Sequence, residues 1–351
     1  MLEYIIVGLL SVALAYVCSH VKGRARYVFA CIAGFPSAML AAVRFNIGPD
    51  YPLYVRIFET IKATGSFFSV KALEPGFELL NRMVIMLGGD KEILFLLIAW
   101  IISTFFFMAA LHMSNNFVFS VASFFAMGFY CDSLNGLRQY IAASITLFAL
   151  SFLCRRERAK AVFSCLFAAL FHQSALIMVA VCLVVDRVRL SSWKAICLVA
   201  IFLVGGSFLF DFVNSILAFT RYSYYLGSIE YVVEPTLGTT LLTSVLTVFA
   251  FSVGVYKDGG NDSSVNRVLS NMNILALLSA LLSFFIPLAL RIQYYFVPIE
   301  MLFMPYAVSY IKNGKMRFLV GSMLFLLFLA MNVIGMVFNG WYGAYPFQIV
   351  R

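Results

Sequence analysis

The sequence predicts an all-α polytopic membrane protein of about 10 transmembrane helices, with one broken or re-entrant helical hairpin at 160–186. Three observations carry this prediction. Of the 351 residues, 63% are hydrophobic and 12% charged, whereas a soluble domain holds roughly 25% charged residues. Apolar stretches recur along the whole chain at about 20 residues, the length that crosses a bilayer as a helix. They lack the short alternating segments of barrel strands, and backbone polar groups in lipid need internal partners, so the spans are helices.

The spans lie at about 2–18, 27–43, 93–111, 117–131, 138–154, 195–213, 237–255, 268–289, 292–311 and 318–337. The first, Leu2 to Cys18, lacks a basic leading segment and reads as a span, not as a cleavable signal. Residues 1–351 read as a single integral membrane domain with no internal repeat. The segment 160–186 is long for one span and short for two, and carries "FHQS" at its middle. Basic residues arbitrate, because cytoplasmic loops are enriched in them. If 160–186 dips in and returns, the short loops on one face carry Lys22, Arg24, Arg26, Arg155, Arg156, Arg158, Lys160, Arg187, Arg189, Lys194, Lys257, Arg267, Lys312, Lys315 and Arg317, which is 15 of the 25. The short segments of the other face carry only Arg138, Arg221, Arg291 and Arg351. A single crossing would erase that asymmetry. The expectation is therefore a hairpin with His172 near its tip, basic loops in the cytoplasm and both termini outside.

The net charge of +9 is explained by these loops. No basic block interleaves with exposed aromatics, so nucleic acid is not an expected partner; membrane lipid is. Seven cysteines without a CxxC pair give neither a disulfide framework nor a zinc site. His20, His112 and His172 are far apart, and no HExxH or DxD occurs, so no metal and no cofactor are expected.

Two outer loops have character of their own. In the long 44–92 loop, Tyr51, Tyr54, Val55, Phe58 and Ile61 follow helical spacing, with Arg56, Glu59 and Lys62 opposite. Pro75 opens a second stretch with Phe77, Leu80, Val84 and Ile85 apolar. Both suit amphipathic helices lying in the interface. The 214–236 loop is tyrosine-rich, with Tyr222, Tyr224, Tyr225 and Tyr231.

On this topology, five ionisable groups gather on the outer face: Arg44 and Asp50 after the second span, Arg138 and Arg291 at the starts of two others, and His172 at the hairpin tip. Ionisable groups at such depth are expensive and point to function. Three arginines around one cavity suit a polyanion, because guanidinium stays charged and grips phosphate oxygens bidentately. A lipid pyrophosphate is a natural candidate. Each residue also has a plainer role. The arginines are alternatively interfacial anchors, Asp50 a partner of Arg44 or a helix cap, His172 a packed residue at a helix break, and the tyrosines an aromatic belt. Glu300, between Pro298 and Pro305, reads as a structural acid or as a direct participant.

The blocks "RFNIGPDYPLYVRIFE", "EPGFELLNRMV", "NGLRQYIAASI", "FHQSALI", "LRIQYYFVPIEMLFMP" and "NGWYGAYPF", in this order over nearly the whole chain, resemble the EpsG-type branch of the Wzy-like O-antigen and exopolysaccharide polymerases. Arg44, Gly48, Asp50 and Tyr51 match the family's first block, Arg138 and Gln139 its second arginine, His172 its histidine, and Arg291 with Tyr294, Tyr295 and Phe296 its third arginine. Pro49 departs from the small polar residues usual there. The resemblance implies a GT-C-like fold and a metal-independent glycosyltransferase in the bacterial cytoplasmic (inner) membrane, with its active site on the periplasmic or extracellular side. Undecaprenyl-pyrophosphate-linked oligosaccharide would be both donor and acceptor, and undecaprenyl pyrophosphate would leave. A chain-length regulator and a flippase are the protein partners to expect. On that reading Arg44, Arg138 and Arg291 hold the pyrophosphate, His172 or Asp50 is the base, and Tyr51, Gln139, Tyr222, Tyr224, Tyr225 and Tyr294 are candidates for acceptor-sugar contacts.

Three other functions fit parts of the sequence. A flippase or other carrier would use a cationic cavity and a broken helix without catalysis, although inverted repeats are missing. A multispan acyltransferase acting on surface sugars would be expected to carry an early histidine and an arginine-rich motif in its first spans, whereas His20, the first histidine, lies in the "SHVKGRAR" loop on the basic face. A scaffold gives no reason for the ionisable groups to gather on one face.

Overall fold

A computed structural model describes residues 1–65, 70, 73–217, 223, 233, 235–257, 263–286 and 289–349. Among them the regular structure is helical throughout, apart from one isolated β-bridge between Arg44 and Ile349. Among the described residues, six helices are long and apolar enough to cross a membrane. They are α1 (Leu2–His20), the kinked pair α2 (Ala25–Ala33) and α3 (Phe35–Val43), α6 (Lys91–Met113), α9 (Leu137–Cys154), α14 (Ser264–Leu282) and α17 (Gly314–Phe338). Two amphipathic helices, α4 (Tyr51–Thr64) and α5 (Pro75–Met86), stand between α3 and α6.

The other predicted spans are helical too, and all but 195–213 are shorter or interrupted. The 117–131 span is α7 (Phe117–Ala126) followed by the short α8 (Phe129–Ser133), divided at Gly128, whose φ is +81°. The 195–213 span is α12 (Ser192–Leu217), and the 237–255 span is α13 (Leu237–Ser252). The 292–311 span is broken into α15 (Leu290–Phe296), a 3-10 turn Val297–Ile299 containing Pro298, and α16 (Glu300–Ser309). A proline nitrogen cannot donate within a helix, which is why the break falls there.

The 160–186 segment is a hairpin. Helix α10 (Arg158–Ala169) leads to Leu170–His172, a 3-10 turn Gln173–Leu176 and α11 (Ile177–Val184). Its two ends meet: Arg158 donates to both carboxylate oxygens of Asp186 at 3.1 and 2.8 Å, and to the Cys182 and Leu183 carbonyls. At 12 residues α10 is roughly 18 Å long, well short of a hydrocarbon core of about 30 Å. The hairpin goes in and comes back.

Caps and small residues set the frame. Side chains of Asp90, Asn116, Ser263 and Asn313 accept the N–H of Ile93, Phe119, Asn266 and Met316 at the starts of α6, α7, α14 and α17. At the α2–α3 kink, a Cβ on Gly34 would lie 2.9 Å from Ser103 Cβ, and Ser37 and Ser103 hydroxyls pair at 2.8 Å. Small residues there let α3 approach α6. In α4, Tyr51, Tyr54, Phe58 and Ile61 are buried as the spacing predicts, Ile57 is buried as well, and Val55 is half-buried. In α5 the buried stripe is Phe77, Asn81 and Val84 with the Glu78–Arg82 pair, while Leu79, Met83 and Met86 face outward. That outward stripe suits a helix seated in the interface.

One end of the bundle gathers basic loops: Arg158 binds Asp186, Arg267 donates to the Asp186 carbonyl, and Ser264 to the Cys154 carbonyl. The opposite end holds both described ends of the chain, since Tyr4 donates to the Ala344 carbonyl at 2.7 Å and Phe45 N–H to Gln348. Glu300 sits in the interior, fully buried, its Oε1 accepting from Asn273, whose own carbonyl oxygen accepts from Tyr256 and Thr247. Its Oε2 is buried without a hydrogen-bond partner among the described residues.

Candidate active site

The end opposite the basic loops brings together the first turn of α9, the hairpin tip, the start of α5 and the loop before α4. Arg138, in the first turn of α9, donates from Nη1 to Glu74 Oε2 at 2.5 Å. Glu74 immediately precedes Pro75 at the head of α5 and is buried. Its other oxygen, Oε1, is 3.1 Å from His172 Nδ1. That contact is close in distance but bent away from hydrogen-bond geometry, since His172 Nδ1 has no hydrogen-bond partner; it is an ion contact whose strength depends on the imidazole's charge. One carboxylate thus bridges the arginine and the histidine. The hairpin tip is held to α5 by Gly76 N–H donating to the Leu170 carbonyl at 2.8 Å. A Cβ on Gly76 would lie 2.8 Å from that oxygen, so glycine is what allows the approach.

Tyr54, buried in α4, lies within electrostatic reach of Arg138. Asp50 stands at the head of α4 without capping it through its side chain; its backbone N–H donates to Asn135 Oδ1 at 2.8 Å. Its carboxyl is pushed up by burial and pulled back by Arg138 and Arg291, both within electrostatic reach. Burial also pushes the Glu74 carboxyl up, but the His172 contact and Arg138 outweigh it and hold it below its ordinary value. Arg291, half-buried at the start of α15, has its backbone carbonyl bonded by Gln139 Nε2. Gln139 also reaches Ser174 Oγ at 3.5 Å, and Ser174 pairs with Tyr295 at 2.9 Å. These bonds lock α9, the hairpin tip and α15 into one frame.

The structure therefore brings Arg138, His172, Asp50 and Arg291 together. It sets Arg44 apart from them. The Arg44 guanidinium is fully buried, donates to the Leu134 carbonyl, and lies 4.7 Å from the Phe95 ring centroid and 5.7 Å from that of Tyr51. Tyr51 is buried with it. Gln139 acts between backbones and side chains within the frame, and Tyr294 packs against Tyr140 at 5.1 Å between ring centroids. Tyr222, Tyr224 and Tyr225 lie outside the described residues. No group of three or more His, Cys, Asp or Glu with metal-holding geometry occurs among the described residues. Reading the sequence missed Glu74, Tyr54 and Asn135. The available signal was a carboxylate directly before a helix-starting proline in "EPGFELL", which a helix N-terminus favours on its own account.

Beside this cluster opens a cavity of about 500 Å³, walled by α8, α13, α15 and α17 and including Pro49, Asp132, Asn135, Tyr294 and Trp341.

Residues 27–349 match the family described as the EpsG family, nearly the whole chain. Neither the curated proteins nor the solved structures gave a match.

Proposed function

The chain belongs to the EpsG family, and from that premise we propose that it polymerises polysaccharide at the outer face of the cytoplasmic membrane, joining undecaprenyl-pyrophosphate-linked repeat units and releasing undecaprenyl pyrophosphate. The family supports a multi-pass, polysaccharide-polymerase-like membrane protein. The observation that carries the finer reading is the bridge from Arg138 through Glu74 to His172, with Asp50 and Arg291 in electrostatic reach.

The chemistry follows from these groups. An acceptor hydroxyl oxygen forms a bond to the anomeric carbon of the donor's reducing-end sugar. The bond from that carbon to the pyrophosphate oxygen breaks, and its electron pair leaves with the pyrophosphate. The hydroxyl proton goes to His172. With Nδ1 turned to Glu74, the basic lone pair is on Nε2, and a carboxylate behind an imidazole stabilises the imidazolium that forms. Arg138 and Arg291 neutralise charge on the departing pyrophosphate, an effect larger in the transition state than in the ground state. Two guanidiniums face two carboxylates, so the cluster turns net positive when His172 takes the proton, as negative charge grows on the leaving group. Asp50 orients the arginines. Glu74 is a positioning residue for both His172 and Arg138.

Arg138→Ala and Arg291→Ala are expected to leave exported single-repeat glycan while abolishing the ladder of longer chains, scored by gel electrophoresis of the surface polymer. Arg138→Lys should also fail, because an ammonium does not reproduce the planar fork. A full ladder from either alanine variant at normal expression would overturn the assignment. Repeat units trapped on the cytoplasmic face would instead identify a flippase.

A further inference from the structure

The cavity beside the charged cluster is not used by the chemistry above, and neither is the "NGWYGAYPF" stretch that forms part of its wall. We propose that this cavity is a saccharide-binding subsite that takes the non-reducing end of the acceptor glycan, a neutral, hydroxyl-rich chain segment. The assignment to the acceptor rests on the polymerase reading; the binding of saccharide does not.

Size and chemistry both point this way. At about 500 Å³ the cavity falls within the roughly 300–1,000 Å³ typical of small-molecule sites. None of its lining residues is Lys or Arg, so it does not suit the pyrophosphate. The rings of Tyr140, Tyr294, Trp341 and Tyr342 line it, and aromatic faces pack against the C–H faces of sugar rings. Polar groups converge among them. The Asp132 carboxylate accepts from Tyr140 at 2.8 Å. Asn332 is 7% exposed, and its Oδ1 has no hydrogen-bond partner in the protein. A prenyl chain filling this space would leave that carbonyl buried and unpaired, which is costly; a sugar hydroxyl would satisfy it.

The site is built in advance. At Gly128, with φ +81°, a Cβ would lie 2.6 Å from Asn332 Oδ1 and 2.7 Å from Tyr342 Oη. Glycine at that position lets both polar atoms sit where they do. Trp341 is lodged between α13 and α17: a Cβ on Gly238 or Gly335 would come within 2.3 or 2.0 Å of its indole. Two helices thus fix the ring, and a fixed ring loses little freedom on binding. The cavity also adjoins the charged cluster. Asn135, in its wall, holds the Asp50 backbone, and Tyr294 follows Arg291 by three residues on α15. A glycan seated here would present its terminal hydroxyl toward His172.

The test is equilibrium dialysis on the full-length protein in detergent. The probes are the lipid-free repeat-unit oligosaccharide, radiolabelled and released from the host's own surface polymer by partial hydrolysis, inorganic pyrophosphate and a polyprenyl phosphate. The oligosaccharide is expected to bind saturably and to persist under saturating pyrophosphate and polyprenyl phosphate. Asn332→Ala and Trp341→Leu are each expected to weaken it about tenfold or more, while Arg138→Ala leaves it unchanged. A second readout, quenching of indole fluorescence by the oligosaccharide in wild type and its loss in Trp341→Phe, holds if the larger substitution fails to fold. Absence of saturable oligosaccharide binding, or its displacement by polyprenyl phosphate, overturns the proposal. If oligosaccharide binds but Arg138→Ala still builds a ladder, the polymerase chemistry fails and the saccharide site stands; the reverse pattern sinks the site alone.

Discussion

At the scale of single residues, sequence alone does not separate Arg44 from Arg138, since both are arginines at span ends in an apolar chain. Their surroundings differ. Arg138 meets a carboxylate, whereas Arg44 is enclosed by rings and one carbonyl. Arg44→Met is therefore expected to lower thermal stability in detergent by about 1–3 kcal/mol, the cost of leaving the Leu134 carbonyl unpaired, with the donor KM of the folded fraction unchanged. A raised KM at unchanged stability would instead return Arg44 to the pyrophosphate site. Glu74 makes the complementary prediction. Glu74→Gln should cut polymer formation about a hundredfold, with partial rescue by Glu74→Asp. Because the Glu74 carboxyl is held below its ordinary value of 4.5, its contribution to stability is fully present above that pH and is lost as pH falls through the lower folded value. The difference in melting temperature between wild type and Glu74→Gln should persist down to about pH 4.5 and shrink below it. A difference that fails to shrink below that pH would contradict the ion contacts of Glu74.

At the scale of elements, the ambiguous 160–186 segment is the clearest case of charge distribution outperforming length. Window hydropathy could not separate a crossing from a return, whereas the placement of basic residues in other loops could. The hairpin brings Cys165 and Cys182 sulfurs to 3.6 Å, both cysteines buried. A membrane-permeant oxidant such as iodine should cross-link them within one chain, read by a shift on non-reducing gels that Cys182→Ala removes. Along one straight helix the pair, 17 residues apart, would be separated by roughly 25 Å and no link would form. The broken spans were less legible. The interruption at Val297–Ile299 is flagged by Pro298, but the division of the 117–131 span at Gly128 is not visible from hydropathy. A lone glycine inside an apolar run is tolerated in a helix, and only the structure shows that Gly128 takes φ +81°, a conformation other residues rarely adopt.

At the scale of the whole molecule, the two ends of the bundle are chemically distinct. Tyr4 and Phe347 rings touch at 5.4 Å between centroids, so the described ends of the chain lie at one end of the bundle, that of the charged cluster, while the arginine-rich loops lie at the other. This agrees with an even number of crossings. Alkaline phosphatase fused after residue 349 should be active, and the same reporter inserted after Lys257 or Lys312 inactive, when fusions are compared in intact cells. Activity at Lys257 would reverse the proposed orientation.

The sequence by itself determined the class of this protein, its helical spans, the basic face and the short list of polar residues worth attention. These are sums over local windows: transfer of a 20-residue segment into lipid adds up residue by residue, and so does the bias of lysine and arginine between loops. Tertiary structure alone decided who meets whom. Glu74 and Arg138 are 64 residues apart in the chain, and Gln139 and Arg291 are 152 apart, so their pairing depends on how helices pack to within a fraction of a hydrogen-bond length. A contact of that range is directional and short, and no local property of either residue encodes its partner. That is why the histidine and the arginines could be read from the chain, while the carboxylate joining them and the aromatic cavity beside them could not.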